Sequence, residues 1–334
     1  MVARASAKSN CGRREVVAAI VELVQCPKTE PTGGWERTFQ VSLQNRDGRI
    51  RAVVGDDAEI EHVATGFMFT EGPVWDPRTV SLIFSDMPGD IMRRWSAERG
   101  IEIFRQPCGK ANGNTWDLEG RLVTCEHASR VVRTEADGAI TVLATHYEGR
   151  ALNSPNDIVT KSDGAIYFSD PTYGRMEGFG FPREQELDFQ GVYRISPDGN
   201  SLTLLASDFA QPNGLTFSVD ESKLFVNDTD RGHVRVFDVK PDGSVSGGAV
   251  WAEVVGDGSG APDGMKVDSE DNLYTTGPGG IHVFAPDGTD LGVIGLPEGP
   301  ANFTWGGTDL RTLYITASTS LYRTRVKVPG RRLF

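Results

Sequence analysis

The sequence predicts an all-β protein, a six-bladed β-propeller. Three observations support this fold class. A turn-strand-turn-strand phrase repeats along the chain, its copies are spaced by 39 to 57 residues, and no helical periodicity is evident after the first 25 residues. A blade of four short strands needs a repeat of about 40–50 residues. A ring of such blades leaves no free sheet edges when it closes.

The repeated phrase is clearest in three segments, "SPNDIVTKSDGAIYFSDPTYG", "QPNGLTFSVDESKLFVNDTD" and "APDGMKVDSEDNLYTTG". Its second half, an apolar strand after a turn, occurs six times, which predicts six blades. One apolar residue marks each copy, and the steps between markers are 39, 45, 57, 49 and 40 residues; the markers are Phe84, Val123, Phe168, Phe225, Tyr274 and Tyr314.

The remaining strands of each blade and the closure of the ring follow from shorter signals. The segment "HVRVFDVKPDG" alternates apolar and polar residues before a Pro-Asp-Gly turn, which is typical of a hairpin. An early strand near 59–64 is expected to pair with the last strands, 313–316 and 321–328. The predicted domains are an N-terminal extension over 1–45, either poorly ordered or a short helix, and the propeller over 46–334. A WD40 propeller is the alternative, but its Gly-His and Trp-Asp signature is missing.

The amino-acid composition limits the classes of molecule that the protein is expected to bind. The 334 residues include 34 Lys and Arg against 46 Asp and Glu, a formal charge of −12, which argues against nucleic acid or an anionic membrane as partner. No apolar run approaches the ~18 residues of a membrane helix. The basic start and short apolar stretch faintly resemble a signal peptide without a cleavage site, so the predicted compartment is the cytoplasm, with the periplasm or secretion as alternatives. The four cysteines form no CxxC pair and are read as reduced thiols: Cys11, Cys26, Cys108 and Cys125.

A polar residue opens each copy of the phrase. The first strand of a propeller blade lines the central channel, so equivalent positions should form a ring of side chains, namely Glu71, Asn112, Asn156, Asn213, Asp263 and Asn302. Turn chemistry explains any single Asn or Asp, but a turn does not need a Glu. Two carboxylates converging with amide oxygens would repel unless a cation lay among them. Such hard oxygen ligands suit calcium, or less well magnesium or manganese. Zinc is disfavoured, because the five histidines show no metal-binding spacing.

These motifs also carry a family resemblance. "EGPVW", "NSPNDI…DGAIYFSDPTYG", "PNGLTFS" and "PDGM" resemble the senescence-marker protein/gluconolactonase/luciferin-regenerating enzyme family, and "ANGNTWDLEGRLVTCEHASRVVR" resembles its bacterial gluconolactonase branch. The similarity covers about residues 60–328. It implies one divalent cation, usually calcium, at the channel mouth. The ligands carried over by motif are Glu71, Asn156, Asn213 and Asp263. Asn112 and His127 match positions expected near the substrate.

The resemblance implies a metal-dependent lactonase that acts on a small sugar lactone such as glucono-1,5-lactone. Asp263 is the expected general base, with His127 as the alternative. The same site could instead hydrolyse an aryl ester or phosphotriester, and a non-catalytic binding propeller is the third possibility. No serine-hydrolase or nucleotide-binding motif is present.

An insertion explains the longest step between copies. Residues 175–190 follow "SDPTYG" directly and contain Phe179 and Phe181. Together with Tyr173, an expected substrate contact, they suggest a lid over the site. An ordinary solvated loop is the alternative.

Overall fold

The computed structural model describes residues 37–56 and 58–331. Antiparallel strands form six sheets of four or five strands around a central channel, which confirms the six-bladed propeller. The inner strands of successive blades contact one another in order, and the sixth contacts the first. The ring is therefore closed.

The first two blades follow the predicted pattern of sequential antiparallel strands. Blade 1 consists of β4 (Thr70–Asp76), β5 (Ser81–Asp86), β6 (Ile91–Ser96) and β7 (Gly100–Arg105). Blade 2 consists of β8 (Ala111–Trp116), β9 (Leu122–Glu126), β10 (Arg130–Thr134) and β11 (Ile140–Ala144). A two-stranded hairpin follows, formed by β12 (His146–Tyr147) and β13 (Arg150–Ala151).

Blades 3 and 4 also keep chain order from the channel outwards. Blade 3 consists of β14 (Ile158–Thr160), β15 (Ile166–Asp170), β16 (Gln190–Ile195) and β17 (Leu202–Phe209). The predicted insertion lies between its second and third strands and begins with a 3₁₀ turn, Tyr173–Arg175. Blade 4 consists of β18 (Pro212–Phe217), β19 (Lys223–Asp228), β20 (His233–Val239) and β21 (Val245–Glu253).

The last two blades each recruit strands from the N-terminal part of the chain. Blade 5 consists of β22 (Met265–Val267), β23 (Leu273–Gly277), β24 (Gly280–Phe284) and β25 (Asp290–Gly295), with β2 (Ser42–Asn45) on its outer edge. Blade 6 consists of β26 (Pro300–Gly306), β27 (Thr312–Ala317), β28 (Ser320–Arg325) and β3 (Glu59–Thr65), with β1 (Arg37–Gln40) outermost.

The closure strand is as predicted, since β3 pairs with β28 and Leu321 lies opposite Ala64. The predicted N-terminal extension over 1–45 extends too far into the propeller. Residues 1–36 lie outside the described residues, whereas β1 and β2 belong to the propeller. A four-residue helix, α1 (Ile50–Val53), connects β2 to β3 and was not predicted. It packs Ile50 and Val53 into the core between blades 5 and 6.

Aromatic contacts between adjacent blades fill the core. Trp75 of blade 1 stacks on Tyr314 of blade 6 with ring centroids 5.2 Å apart, and Tyr167 of blade 3 meets Phe217 of blade 4 edge to face at 4.9 Å. Such pairs stabilise beyond their buried area. They fix neighbouring blades against each other and so hold the inner strands in place.

Two remaining predictions concern the cysteines and the membrane. Cys108 and Cys125 are buried and form no disulfide, while Cys11 and Cys26 lie outside the described residues. Within the described ranges, no helix has the length and apolar character needed to cross a bilayer.

Candidate functional site

The ring residues meet at one mouth of the channel. All six inner strands run in the same direction along it, and each polar residue lies at or just before the start of its strand. Five of these residues are buried, at most 4% exposed, and Asp263 alone retains moderate exposure; the five are Glu71, Asn112, Asn156, Asn213 and Asn302.

A second repeated residue holds the turns that lead into the ring. The aspartate ending the second strand of blades 1, 3 and 4 accepts hydrogen bonds from two consecutive backbone amides just before the inner strand. Asp86 accepts from Met68 and Phe69, Asp170 from Asn153 and Ser154, and Asp228 from Ala210 and Gln211. These bonds recur with the Ser-Asp or Asn-Asp pair of the sequence phrase, so the phrase encodes the turn that presents each ring residue.

Glycines beside the ring residues let neighbouring inner strands approach closely. A Cβ atom on Gly72 would lie 1.9 Å from the carbonyl oxygen of Asn112, and one on Gly214 would lie 2.1 Å from that of Asp263. The Gly214 amide donates to the Asp263 carbonyl at 3.1 Å. Side chains larger than hydrogen at these positions would push the blades apart at the mouth.

The carboxyl groups of Glu71 and Asp263 are neighbours in the ring. Burial raises the pKa of Glu71 to about 7, and the Asp157 carboxylate adds to this shift. Burial, followed by the Glu71 and Asp157 carboxylates, raises the pKa of Asp263 well above its usual value. Asn302 Nδ2 donates to Glu71 Oε2 at 3.3 Å. Buried acids that repel one another are stable only with a shared proton or a neighbouring cation.

The amide oxygen of Asn213 is held without a partner. Thr229 Oγ1 donates to the Pro262 carbonyl at 2.6 Å and therefore accepts from Asn213 Nδ2, at 3.2 Å. Asn213 Oδ1 is buried and has no hydrogen-bonding partner among the described residues. Two carboxylates with an oriented, unpartnered amide oxygen make a donor set that fits a hard divalent cation such as calcium.

Asn112 and His127 contact each other beside the ring. His127 Nε2 lies 3.0 Å from Asn112 Nδ2, and His127 Nδ1 donates to the Phe179 carbonyl at 2.8 Å. Burial lowers the pKa of His127 to about 4, so the imidazole is neutral at neutral pH. Both ring nitrogens are thus engaged in hydrogen bonds.

The insertion lies over this side of the mouth. Phe179 is buried and packs edge to face on Phe69 of blade 1, with centroids 5.4 Å apart, whereas Phe181 is 40% exposed. Lys110 Nζ donates to the Gly178 carbonyl at 2.9 Å. The hydroxyl of Tyr173 is buried without a partner among the described residues, and burial raises its pKa, with the Asp263 carboxylate contributing. The segment therefore bridges blades 1, 2 and 3 above the ring.

Asp157 is a site residue that the sequence reasoning missed. It is buried, Oδ1 accepts from the Ile158 amide at 2.9 Å, and Oδ2 has no partner among the described residues. It follows Asn156 where four of the other five copies have glycine, as in "PNG" and "PDG". That departure within the repeat was the available signal.

Two further features define the limits of the site. The described residues contain no group of three His, Cys, Asp or Glu side chains arranged to hold a metal ion. A cavity of about 570 Å³ opens at the opposite mouth, where the inner strands end, lined by aromatic residues including Trp75, Trp116 and Trp305. The ring residues do not line it.

Comparisons with known proteins show similarity to one family and to several lactonases. The family model described as an SMP-30/gluconolactonase/LRE-like region matches residues 69–319. A gluconolactonase from Zymomonas mobilis is 34% identical, over 95% of this chain and 98% of the relative. A pentonolactonase from Haloferax volcanii is 27% identical, over 77% of this chain and 84% of the relative.

A solved structure agrees with these sequence matches. A gluconolactonase from Xanthomonas campestris superposes with a TM-score of 0.80 at 31% identity, covering 91% of this chain and 99% of that one. The family match includes all six inner strands from Thr70 to Gly306. The chain belongs to the SMP-30/gluconolactonase/LRE-like family.

Proposed function

We propose that this protein is a metal-dependent lactonase that hydrolyses a sugar lactone, such as glucono-1,5-lactone, to the aldonic acid. The observation that carries the proposal is the ring of buried oxygen donors at one mouth of the propeller. The similarity to gluconolactonases along nearly the whole chain supports this substrate class.

Glu71, Asn156, Asn213 and Asp263 would hold one divalent cation, most suitably calcium. Their donors are two carboxylates and two amide oxygens from four different blades, and hard oxygen ligands of this kind suit calcium better than zinc. Burial, followed by neighbouring carboxylates, raises the pKa values of Glu71 and Asp263, and a bound positive charge would favour the ionised form of both groups.

The bound cation would supply Lewis-acid polarisation of the lactone carbonyl and a lowered pKa for a nearby water. Asp263 is the proposed general base that takes the proton from the attacking water. It is the one ring residue of the six that is not buried, and its raised pKa favours proton uptake. Glu71 is more deeply buried and receives hydrogen bonds from Gly72 and Asn302, which suits an anchoring ligand.

Substrate would contact the side of the ring that the insertion covers. Asn112 and Tyr173 each keep a buried polar atom without a partner among the described residues, so both can hydrogen-bond to a ligand. Five of the six ring residues are buried, and the insertion packs beside the mouth through Phe179. This supports a lid role for residues 175–190.

The test is a lactone panel assayed with and without a metal chelator. Acid release is followed at neutral pH against spontaneous hydrolysis, on glucono-1,5-lactone, a five-membered aldonolactone, an aryl ester and a phosphotriester. We expect turnover of an aldonolactone that chelator abolishes and calcium restores. Turnover of only the aryl ester or phosphotriester would reassign the substrate. Calcium binding without any turnover would indicate a binding module.

A further inference from the structure

The cavity at the opposite mouth of the channel is separate from the ring of oxygen donors. Its volume of about 570 Å³ falls within the range of small-molecule pockets, about 300–1,000 Å³. Tryptophans from blades 1, 2 and 6 belong to its lining, and so do the exposed side chains of Val80 and Leu118. Aromatic and aliphatic walls of this kind favour a ligand with a flat, apolar body.

The charged side chains of the lining leave one positive charge unpaired. Glu221 accepts a hydrogen bond from Arg331 Nη2 at 2.9 Å and also pairs with Lys161 Nζ at 3.3 Å. Lys266, on the inner strand β22, makes no hydrogen bond and no ion pair among the described residues. Burial raises the pKa of Asp157, and the Lys266 ammonium partly offsets this shift, as expected of an ammonium group inside the channel.

An unpaired ammonium group in an apolar cavity favours an anionic ligand, because partly buried charges are stable when they are paired. The protein as a whole carries a formal charge of −12, so most of its surface repels anions. Two further lining side chains keep a buried polar atom without a partner among the described residues, Thr160 Oγ1 and Trp305 Nε1. The cavity therefore combines apolar walls with a few polar groups, as ligand sites do.

We propose that this cavity is a second ligand site, which binds an aromatic carboxylate with its ring against the tryptophans and its carboxylate on Lys266. The ligand makes no covalent bond and undergoes no reaction there. Because no ring residue lines the cavity, binding is independent of the proposed lactonase activity and of the cation.

The test compares two probes of the same shape, 2-naphthoate and its neutral carboxamide 2-naphthamide, by calorimetry. Wild type should bind 2-naphthoate with a Kd below about 0.1 mM, which is reasonable for a ligand of this size. The neutral probe should bind at least about tenfold more weakly, because it cannot pair with the ammonium group. The 2-naphthoate affinity should be the same in calcium and in chelator.

Two variants locate the carboxylate and the apolar body. Lys266→Met keeps an unbranched side chain without the charge, and it should weaken 2-naphthoate at least about tenfold while leaving 2-naphthamide unchanged. Leu118→Glu places a negative charge in an exposed part of the lining and should weaken 2-naphthoate more than 2-naphthamide. Lys240→Met is the matched control, since Lys240 is exposed and lies outside the lining; it should bind both probes as wild type does.

A spectroscopic measurement locates the ligand without any variant. In wild type labelled with ¹⁵N-tryptophan, 2-naphthoate should shift the indole signals of Trp75, Trp116 and Trp305, which line the cavity. The signal of Trp251, on the outer strand of blade 4, should stay in place. This measurement and the comparison of the two probes remain decisive if Lys266→Met fails to fold.

Several results would overturn the inference. They are a 2-naphthoate Kd above about 1 mM, equal affinity of wild type for the two probes, unchanged 2-naphthoate affinity in Lys266→Met, and unshifted signals of the three cavity tryptophans. Binding that requires calcium would place the carboxylate on the ring cation instead. A ligand-free wild type that is dimeric in analytical ultracentrifugation, and monomeric as Leu118→Glu, would assign this surface to a second copy of the chain.

Discussion

Asp263 has two proposed roles, cation ligand and general base, and one substitution separates them. Asp263→Asn keeps an oxygen of similar size but removes the charge and the proton acceptor. We expect kcat to fall about 10²–10⁴-fold even when the site is saturated with calcium, because that is the usual cost of losing a general base. Occupancy is measured by calorimetry on the same sample.

Asn213→Ala is the comparison for Asp263→Asn, since it removes a proposed ligand but no base. High calcium should restore this variant substantially. If calcium returned Asp263→Asn to near wild-type rates, Asp263 would be a ligand only. The proton chemistry would then have to be carried by His127, whose two ring nitrogens are both in hydrogen bonds in this structure, or by a cation-bound hydroxide.

The burial of His127 should also make the free energy of unfolding depend on pH. Its pKa is about 4 in the folded protein and about 6.5 in an unfolded chain. Below pH 6.5 the unfolded state therefore binds more protons, and stability falls as the pH falls towards 4. The full shift corresponds to about 3 kcal/mol. Urea unfolding at several pH values should show this loss in wild type relative to His127→Gln, which cannot titrate. Parallel curves for the two proteins would contradict the burial of a neutral imidazole.

At the scale of elements, the insertion is the segment whose function depends on movement. Replacing Phe179 and Phe181 by Ala removes the packing on Phe69 and the apolar cover of the mouth. We expect KM to rise while calcium affinity stays unchanged, because neither side chain belongs to the proposed ligand set. Steady-state kinetics and calorimetry measure the two quantities. Val250→Ala, on an exposed outer strand, is the control, and unchanged kinetics in the Phe variant would make the segment an ordinary surface loop.

The repeat explains which elements could be predicted from sequence. Inner strands were found because a polar residue, a turn and an apolar strand recur with each blade, and equivalent positions in a closed ring must converge. The outer strands β1 and β2 carry no such phrase. The partner of β1 is the nearby strand Glu59–Thr65, whereas the partner of β2, Asp290–Gly295, lies far along the chain. Local pattern cannot specify such long-range edge pairing.

Contacts made by the insertion could not be predicted from the sequence, because they also join residues that are far apart in the chain. The hydrogen bond from His127 to Phe179 joins residues 52 positions apart, and nothing in either local segment indicates the partner. Asp157 shows the opposite case. Its position was visible as a break in the repeat, but its effect on Glu71 and Asp263 depends on side chains from three blades.

At the scale of the whole molecule, one cation would join blades 1, 3, 4 and 5 through the four proposed ligands. Binding to the folded state alone stabilises it by about 2.7 kcal/mol at a calcium concentration 100 times Kd. We therefore expect calcium to raise Tm by several degrees over chelated protein, measured by scanning calorimetry. Asn213→Ala should lose most of this difference at equal calcium. Asn272→Ala, a buried asparagine in a blade 5 turn that donates to Asp268, should lower both Tm values and keep the difference.

The calcium effect on Tm should also depend on pH. Without a cation the pKa of Glu71 is raised to about 7 from about 4.5 in an unfolded chain, so the folded state binds the extra proton. This contribution to folding stability is fully present below pH 4.5. It disappears as the pH rises through 7, where the carboxyl groups of the ring become negatively charged and repel one another. Calcium removes this repulsion. The increase in Tm produced by calcium should therefore be larger at pH 8 than at pH 6. The samples are compared at matched ionic strength, with magnesium as a second cation. Other buried acids such as Asp170, whose pKa is also raised to about 7, affect both samples equally and cancel in the difference. A calcium effect that is the same at both pH values, or that Asn272→Ala abolishes, would place the cation away from Glu71 and Asp263.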